Sequence, residues 1–384
     1  MTDASGHVQP AEPAEPAAPV GPPPNLAELV ATRSIVICSG SGGVGKTTTA
    51  AVLAMEAAAL GRRAVVVTID PAKRLADALG LGGEGIGNDP RRIEGPWPGE
   101  LWAVMLDTKS TFDDLVSRYS TDPEQAERIH DNRFYANISG ALSGTQEYMA
   151  MEKLYELHTE ERFDIVVVDT PPSRNALDFL DAPRRLTRFL DHRLYRVLMA
   201  PTRGVMKAAS VAAQAFVRQV SKVVGAEVFE DAITFFQAFD GMEAGFKERA
   251  DHVLRLLTSP ETSYVLVASP KRDTVAEAQF FADKLAEAHI PIAALIVNRM
   301  HPHFTDEMPE ALRERAVTLA GTDLGGLYRN LADFSLVAHR EEEHLAGLAE
   351  EVAPAPVVRV PFLRTDVHDL EGLVLVADHL FERT

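Results

Sequence analysis

The sequence predicts an α/β fold, a doubly wound and mostly parallel sheet with a helical subdomain inserted into it. Three observations carry this. Short, continuous apolar runs alternate along the chain with longer helical stretches, which is the pattern of strand–helix–strand crossovers. The first run, Ile35-Val36-Ile37-Cys38-Ser39, enters a glycine-rich turn that opens directly onto an alanine-rich helix. Three of the runs end on a carboxylate, at Asp70, Asp107 and Asp169, and the carboxyl ends of strands line the ligand crevice of an open parallel sheet.

The chain has 384 residues, of which 46% are hydrophobic. That is enough to bury a large core as one enlarged domain or as two. With 38 basic against 56 acidic residues the net charge is −18, so the surface as a whole repels nucleic acid and anionic membrane. No nucleic-acid partner is expected. The single cysteine, Cys38, rules out an internal disulfide and any cysteine-pair metal site. Residues 1–24 are dominated by Ala, Pro, Glu and Gly, without the basic and apolar segments of a signal peptide. They read as a disordered, solvated tail. No run has the length of a transmembrane helix, so a soluble, cytoplasmic protein is expected. The folded domain spans 25–384, with the helical subdomain over about 108–160 and 183–257.

Taken in order, Asn25–Thr32 reads as a lead-in helix and Ser34–Ser39 as the first strand. The helix from Lys46 to Leu60 is rich in alanine, which lets it lie close on a sheet, and Gly61 suits a left-handed cap. Ala64–Ile69 is a strand of the kind buried on both faces; Asp70-Pro71 ends it, and Leu75, Ala78 and Leu79 suggest a short helix. Residues 80–100, rich in Gly, Pro and charge, read as a surface loop before a strand at Leu101–Leu106. Helical patterning runs from Thr111 to His158, and a strongly apolar strand, Phe163–Val168, ends at Asp169. A long helical region, Pro183–Leu257, follows. Strands at Tyr264–Ala268, Ala293–Val297 and Val357–Val360 complete the set, separated by helices such as Val275–Ala288.

The turn after the first strand carries the chemistry. Gly40, Gly42, Gly43 and Gly45 fall within six positions, so successive backbone N–H groups can curl around an anion without obstruction by side chains. Val44 sits among them, Lys46 can reach terminal phosphates, and the Thr47 hydroxyl at the helix start can hold Mg²⁺. Thr48 follows in the first helical turn, whose N-terminus adds partial positive charge. Gly40-x-Gly42-x-x-Gly45 also fits a dinucleotide-binding pattern, with Asp70 as the ribose acid. Asp70, however, lies 25 residues past Gly45, and such a site has no use for Lys46-Thr47. The pattern therefore implies a nucleoside triphosphate with magnesium. Asp169 is placed to hold Mg²⁺ through water, and Asp70 to orient or deprotonate the attacking water. Strand-end aspartates also make turns and caps, and for Asp107 both readings stay open.

These motifs resemble the family of the arsenite-pump ATPase ArsA and of the ATPase that targets tail-anchored membrane proteins, within the deviant-Walker group. The resemblance spans about Ser34 to Leu373. Gly40–Thr47 is similar to the family's phosphate loop, Thr68-Ile69-Asp70-Pro71-Ala72 to its first switch, and Asp169-Thr170-Pro171-Pro172-Ser173 to its second. Ser143-Gly144-Thr145-Gln146-Glu147 resembles its Pro-Gly-x-x-Glu element. The resemblance implies ATP as the nucleotide, with Lys46 and Asp70 as catalytic residues and Mg²⁺ held by Thr47 and Asp169. It also implies that Asn298, in Ile296-Val297-Asn298, reads adenine, and that Pro361 and Phe362 flank the base.

Departures from the family pattern carry information too. Ser41 stands where relatives carry a signature lysine that crosses a dimer to the partner's phosphates. A cation supplied in trans is worth about 10³–10⁵ in rate in phosphoryl transfer. The expected partner is therefore a paralogous, lysine-bearing subunit in a heterodimer, or else a second copy in a slow homodimer. Lys73-Arg74 and Arg174-Asn175 replace the usual switch residues, and neither zinc-binding nor arsenite-binding cysteines are present. Between Pro183 and Lys222 there are nine Lys/Arg and one acid, a face suited to lipid headgroups, an acidic partner or the flanks of a membrane helix. The apolar residues of this insert either pack in the core or form a client groove. The resemblance implies that the nucleotide cycle switches a dimer, for handling or targeting of hydrophobic membrane-protein clients. The alternative is the soluble energising subunit of an anion transporter, peripheral at the membrane. A positioning ATPase is disfavoured, because Leu370–Thr384 has no basic amphipathic face.

Overall fold

In the computed structural model the described residues are 23, 25–69, 74–79, 87–133, 135, 145–170, 176–191, 231, 233–235, 237–239 and 241–383. The tail over 1–24, apart from Pro23, and the insert over 192–230 lie outside them. The strands are β1 (Ile35–Ser39), β2 (Arg63–Thr68), β3 (Arg91–Ile93), β4 (Glu100–Met105), β5 (Ile165–Asp169), β6 (Thr262–Ala268), β7 (Ile292–Met300) and β8 (Val357–Pro361). They form one eight-stranded sheet in the order β3-β4-β2-β5-β1-β6-β7-β8. Every pairing is parallel except β3 on β4. β1, β5 and β6 are buried at every position, as continuous apolar runs with covered faces should be.

The helices are α1 (Leu26–Thr32), α2 (Lys46–Ala59), α3 (Arg74–Ala78), α4 (Thr108–Tyr119), α5 (Pro123–His130) and α6 (Thr145–Thr159). They continue as α7 (Ala176–Asp191), α8 (Glu243–Leu257), α9 (Arg272–Glu287), α10 (Pro309–Thr318), α11 (Asp323–Glu351) and α12 (Leu370–Leu380). Strand alternation divides the core between two faces. Ile35 and Ile37 of β1 join one cluster with α6, α8, α9 and the end of α11. Val36 and Cys38 join the other with α1, α2 and α12. Ala50, Ala51, Ala54, Ala57 and Ala58 of α2 are fully buried, which seats its axis close to the strands and sets the height of its first turn above the sheet edge. Among the described residues no helix is long and apolar enough to cross a membrane.

Several expectations are refined. Within the loop expected over 80–100, residues Arg91–Ile93 form β3, an antiparallel edge strand on β4. Only Ile93 of its three residues is buried, so it left no periodic signal, and its arginines suit an exposed edge. The patterning from Thr111 to His158 resolves into α4, α5 and α6. Asp107 caps the first of these, its Oδ1 accepting from Ser110 N at 2.8 Å. The capping reading of Asp107 therefore holds. α7 starts at Ala176 and runs through Pro183 instead of beginning there.

The insert's aromatic residues Phe235 and Phe239 are buried. Together with Tyr135 and Phe246 they form a row with ring centroids 4.9–5.9 Å apart. Core packing, not a client groove, is what these residues do. A buried ion pair joins α6 to α8: Arg249 Nε donates to Glu152 Oε2 at 2.6 Å, and Tyr148 donates to Oε1 at 2.6 Å. The Arg249 guanidinium also lies 3.8 Å from the centre of the Tyr155 ring. Removing one partner strands a charge in the core, whereas apolar replacement of both is tolerated. Arg249→Ala should cost about 3–5 kcal/mol in denaturant unfolding, and an Arg249→Met/Glu152→Leu double variant should recover most of that loss.

Candidate functional site

The site grows from the place where β1 leaves the sheet. Gly40 has φ 153°, and a Cβ there would lie 2.0 Å from the Val267 carbonyl oxygen of β6. Only glycine lets the chain cross the end of the neighbouring strand. The loop then runs to Gly45, which has φ 102° and takes the N-cap position of α2 without any side-chain cap. The first N–H groups of α2 are thus left available to an anion.

Lys46 is buried and folds back over the loop, its Nζ donating to the Ser41 carbonyl oxygen at 2.8 Å. Asp169 ends β5 between β1 and β2, in register with Cys38 and Thr68. Its Oδ2 accepts from Thr47 Oγ1 at 2.6 Å and from Thr68 Oγ1 at 2.9 Å. Two side chains 122 residues apart in sequence, one from a helix start and one from a strand end, meet at this oxygen. Burial pushes the Cys38 thiol far above its ordinary range, and the nearby Asp169 carboxylate raises it further, against the opposing effect of Lys46.

A pocket of about 600 Å³ opens at this edge. Gly43, Gly45, Lys46, Thr47, Thr48 and Asp169 line it from the loop, the start of α2 and the end of β5, and Asn298 of β7, Pro361 of β8 and the following Phe362 line it as well. Gly42 is exposed on the loop, while the Val44 side chain is buried in the α2 core, leaving its backbone to the site. Asp70 lies outside the described residues, as do 71–73 and 171–175. Among the described residues no group of three His, Cys, Asp or Glu side chains is placed to hold a metal. A metal at the loop would take its donors from Thr47, from water on Asp169 and from the ligand's phosphates. Such hard oxygens in the company of phosphate suit Mg²⁺.

The strand-end side of the pocket shows contacts that sequence reasoning missed. The Asn298 amide, which the family resemblance assigns to adenine, is tied to the loop: Nδ2 donates to the Val44 carbonyl at 2.9 Å, and Oδ1 accepts from Arg299 N at 2.9 Å. One N–H and one lone pair of the amide remain for a ligand. Arg299 itself lines the pocket and donates from a guanidinium nitrogen to the Gly43 carbonyl at 3.0 Å. Its only sequence signal is adjacency to Asn298. Phe362 is exposed, its N–H donates to Met300 O at 2.7 Å, and the His301 ring stacks at 6.2 Å. Glu341 of α11 holds His301 through both its backbone N–H and its Nδ1, each at 2.7 Å.

A lysine-bearing anion loop at the switch point of a parallel sheet, with a threonine–aspartate pair beneath it, is the geometry of P-loop nucleoside triphosphatases. Residues 33–320 match the anion-transporting ATPase family, ArsA, and the chain belongs to it. The chain is similar to the ATPase get3 of Schizosaccharomyces japonicus, at 22% identity over 93% of this chain and 94% of that one. It is similar at 21% identity to the putative arsenical pump-driving ATPase 1 of Aquifex aeolicus, over 90% of this chain and 78% of that one. A shorter match, 29% identical to the ATPase GET3 of Malassezia globosa, covers 44% of this chain and about half of that relative, 48%. ATP hydrolysis is the activity of this class.

Gly45 offers a direct check of the site's geometry, because a Cβ there would lie 2.3 Å from Asn298 Nδ2. Gly45→Ala should lower stability by about 1–2 kcal/mol through the left-handed backbone alone. It should also weaken ATP binding measured by calorimetry, because Asn298 must move off the loop.

Proposed function

We propose that the chain is a Mg²⁺-dependent ATPase whose nucleotide cycle switches a dimer in the handling or targeting of hydrophobic membrane-protein clients. The observation that carries the ATP and magnesium part is the Thr47–Asp169 hydrogen bond at 2.6 Å beside Lys46. Lys46 and the backbone from Gly42 to Lys46 bind the phosphates, with Thr48 in the same helical turn. Thr47 ligates Mg²⁺ directly and Asp169 holds a water of its shell. Magnesium, when bound, neutralises phosphate charge and aligns the terminal phosphoryl group. Asp70 orients the attacking water, while Asn298, Pro361 and Phe362 hold the adenine.

The client reading is supported by the length of the match to a protein named ATPase get3, 93% of this chain, and by the family resemblance to tail-anchored-protein targeting. With Phe235 and Phe239 buried in the core, client contact falls to the basic, apolar stretch within 192–230. Ser41 brings no charge to a partner's phosphates, which favours a heterodimer with a lysine-bearing paralogue over a homodimer. A second reading, the soluble energising subunit of an anion transporter, is favoured by the family description and the Aquifex relative's name. It would not proceed through arsenite capture by thiolates, since the sequence holds one cysteine and that one is buried.

Lys46→Ala should abolish ATP binding in calorimetry; retained affinity would overturn the assignment. Asp169→Asn should keep nucleotide binding and lower Mg²⁺ affinity or turnover by about 10–100-fold. Proteins captured with the ATP-loaded chain should be enriched in single membrane segments. Turnover stimulated by a free anion, with no such enrichment, would favour the transporter reading.

A further inference from the structure

We infer that Arg299, acting together with Asn298, is a positioning residue that sets the phosphate loop in its anion-receiving shape before nucleotide arrives. The inference rests on the reading of this pocket as the nucleotide site. Arg299 has φ 65°, a left-handed backbone that costs a side-chain-bearing residue about 1–2 kcal/mol. Such a conformation persists where the surroundings over-determine it, and it clusters at working sites. The β7–β8 register shifts between Val297 and Met300, so the strand is irregular just at Asn298 and Arg299. Irregularities of this kind re-aim side chains at sheet ends.

The two residues act on two successive peptide units. The Gly43 carbonyl accepts from the Arg299 guanidinium at 3.0 Å and the Val44 carbonyl accepts from Asn298 Nδ2 at 2.9 Å. A trans peptide is planar, with its C=O and N–H pointing in opposite directions. Pinning both carbonyls towards β7 therefore turns the N–H groups of Val44 and Gly45 the other way, where consecutive N–H groups make an anion nest. Gly43 needs this support. It is exposed with φ 76°, and a Cβ at that position would meet nothing within 4 Å, so packing does not brace the loop there. Val44, by contrast, is already anchored by its buried side chain. Without the guanidinium, the Gly43–Val44 peptide can rotate, and binding must supply the ordering that the latch supplies in advance.

The test uses the full chain and compares wild type with Arg299→Ala and Arg299→Lys. Dissociation constants for MgATP and for inorganic triphosphate are measured at low and at high salt, along with hydrogen exchange of the loop peptide without nucleotide. Arg299→Ala should weaken both ligands by about tenfold, the scale of one hydrogen bond to a charged group, equally at both salt concentrations. Loop exchange should rise, and the loss should appear in KM for MgATP more than in kcat, as for a lost contribution to ground-state binding. Arg299→Lys, which keeps a donor of similar reach, should restore most of the affinity. Unchanged affinity in Arg299→Ala would overturn the inference. So would a loss confined to low salt, which marks direct charge on the phosphates, or unchanged loop exchange. Wild type that fails to bind ATP would instead sink the nucleotide reading itself.

Discussion

The whole site hangs on a steric constraint at one backbone position. The chain leaving β1 must cross the end of β6 so closely that a Cβ on Gly40 would lie 2.0 Å from the Val267 carbonyl oxygen. A bare backbone there lets the loop lie flat on the sheet edge and deliver Lys46 to the start of α2. A side chain would lift it, and α2 could not keep its buried alanines against the strands. The fold and the phosphate loop are thus one structure: the central position of β1 in the sheet and the shape of the turn that follows it require each other.

A second layer of organisation is polar. Asp169 sits where β1, β2 and β5 end side by side, and Thr47 and Thr68 both donate to the same oxygen. Fully buried carboxylates survive only with such partners. The arrangement ties the first turn of α2 to two strand ends, so a ligand that draws on Thr47 also acts on the sheet edge. On the other side of the pocket, Phe362 pairs by its backbone with Met300, stacks on His301 and reaches α11 through Glu341. The pocket wall facing Asn298 is thereby continuous with the longest helix among the described residues. In the helical layer a satisfied Arg249–Glu152–Tyr148 network ties α6 to α8, and a row of buried aromatics packs against Phe246 of α8.

Much of the chain was legible without coordinates, for local reasons. Each core strand was found within two or three residues, since doubly covered strands are unbroken apolar runs bounded by turn residues. β3 escaped because three residues with one buried side chain carry no period. Asp107 was ambiguous, because a strand-end aspartate has the same neighbours whether it binds a ligand or caps a helix. Its contact with Ser110 N decides for the cap. The aromatic residues of the insert had the spacing of a helix face, and burial assigned Phe235 and Phe239 to the core.

By itself the sequence determined the alternating fold, the phosphate loop and the choice of a triphosphate over a dinucleotide. These depend on residues adjacent in the chain, whose spacing dictates backbone conformation and which groups face an anion. Only the tertiary structure decided what braces that loop. Asn298 meets Val44 across 254 residues and Arg299 meets Gly43 across 256. That meeting follows from strand order, with β6 and β7 laid side by side next to β1, and from a left-handed turn at an arginine. No local pattern encodes strand order, because it is settled by how helices and strands pack into one core.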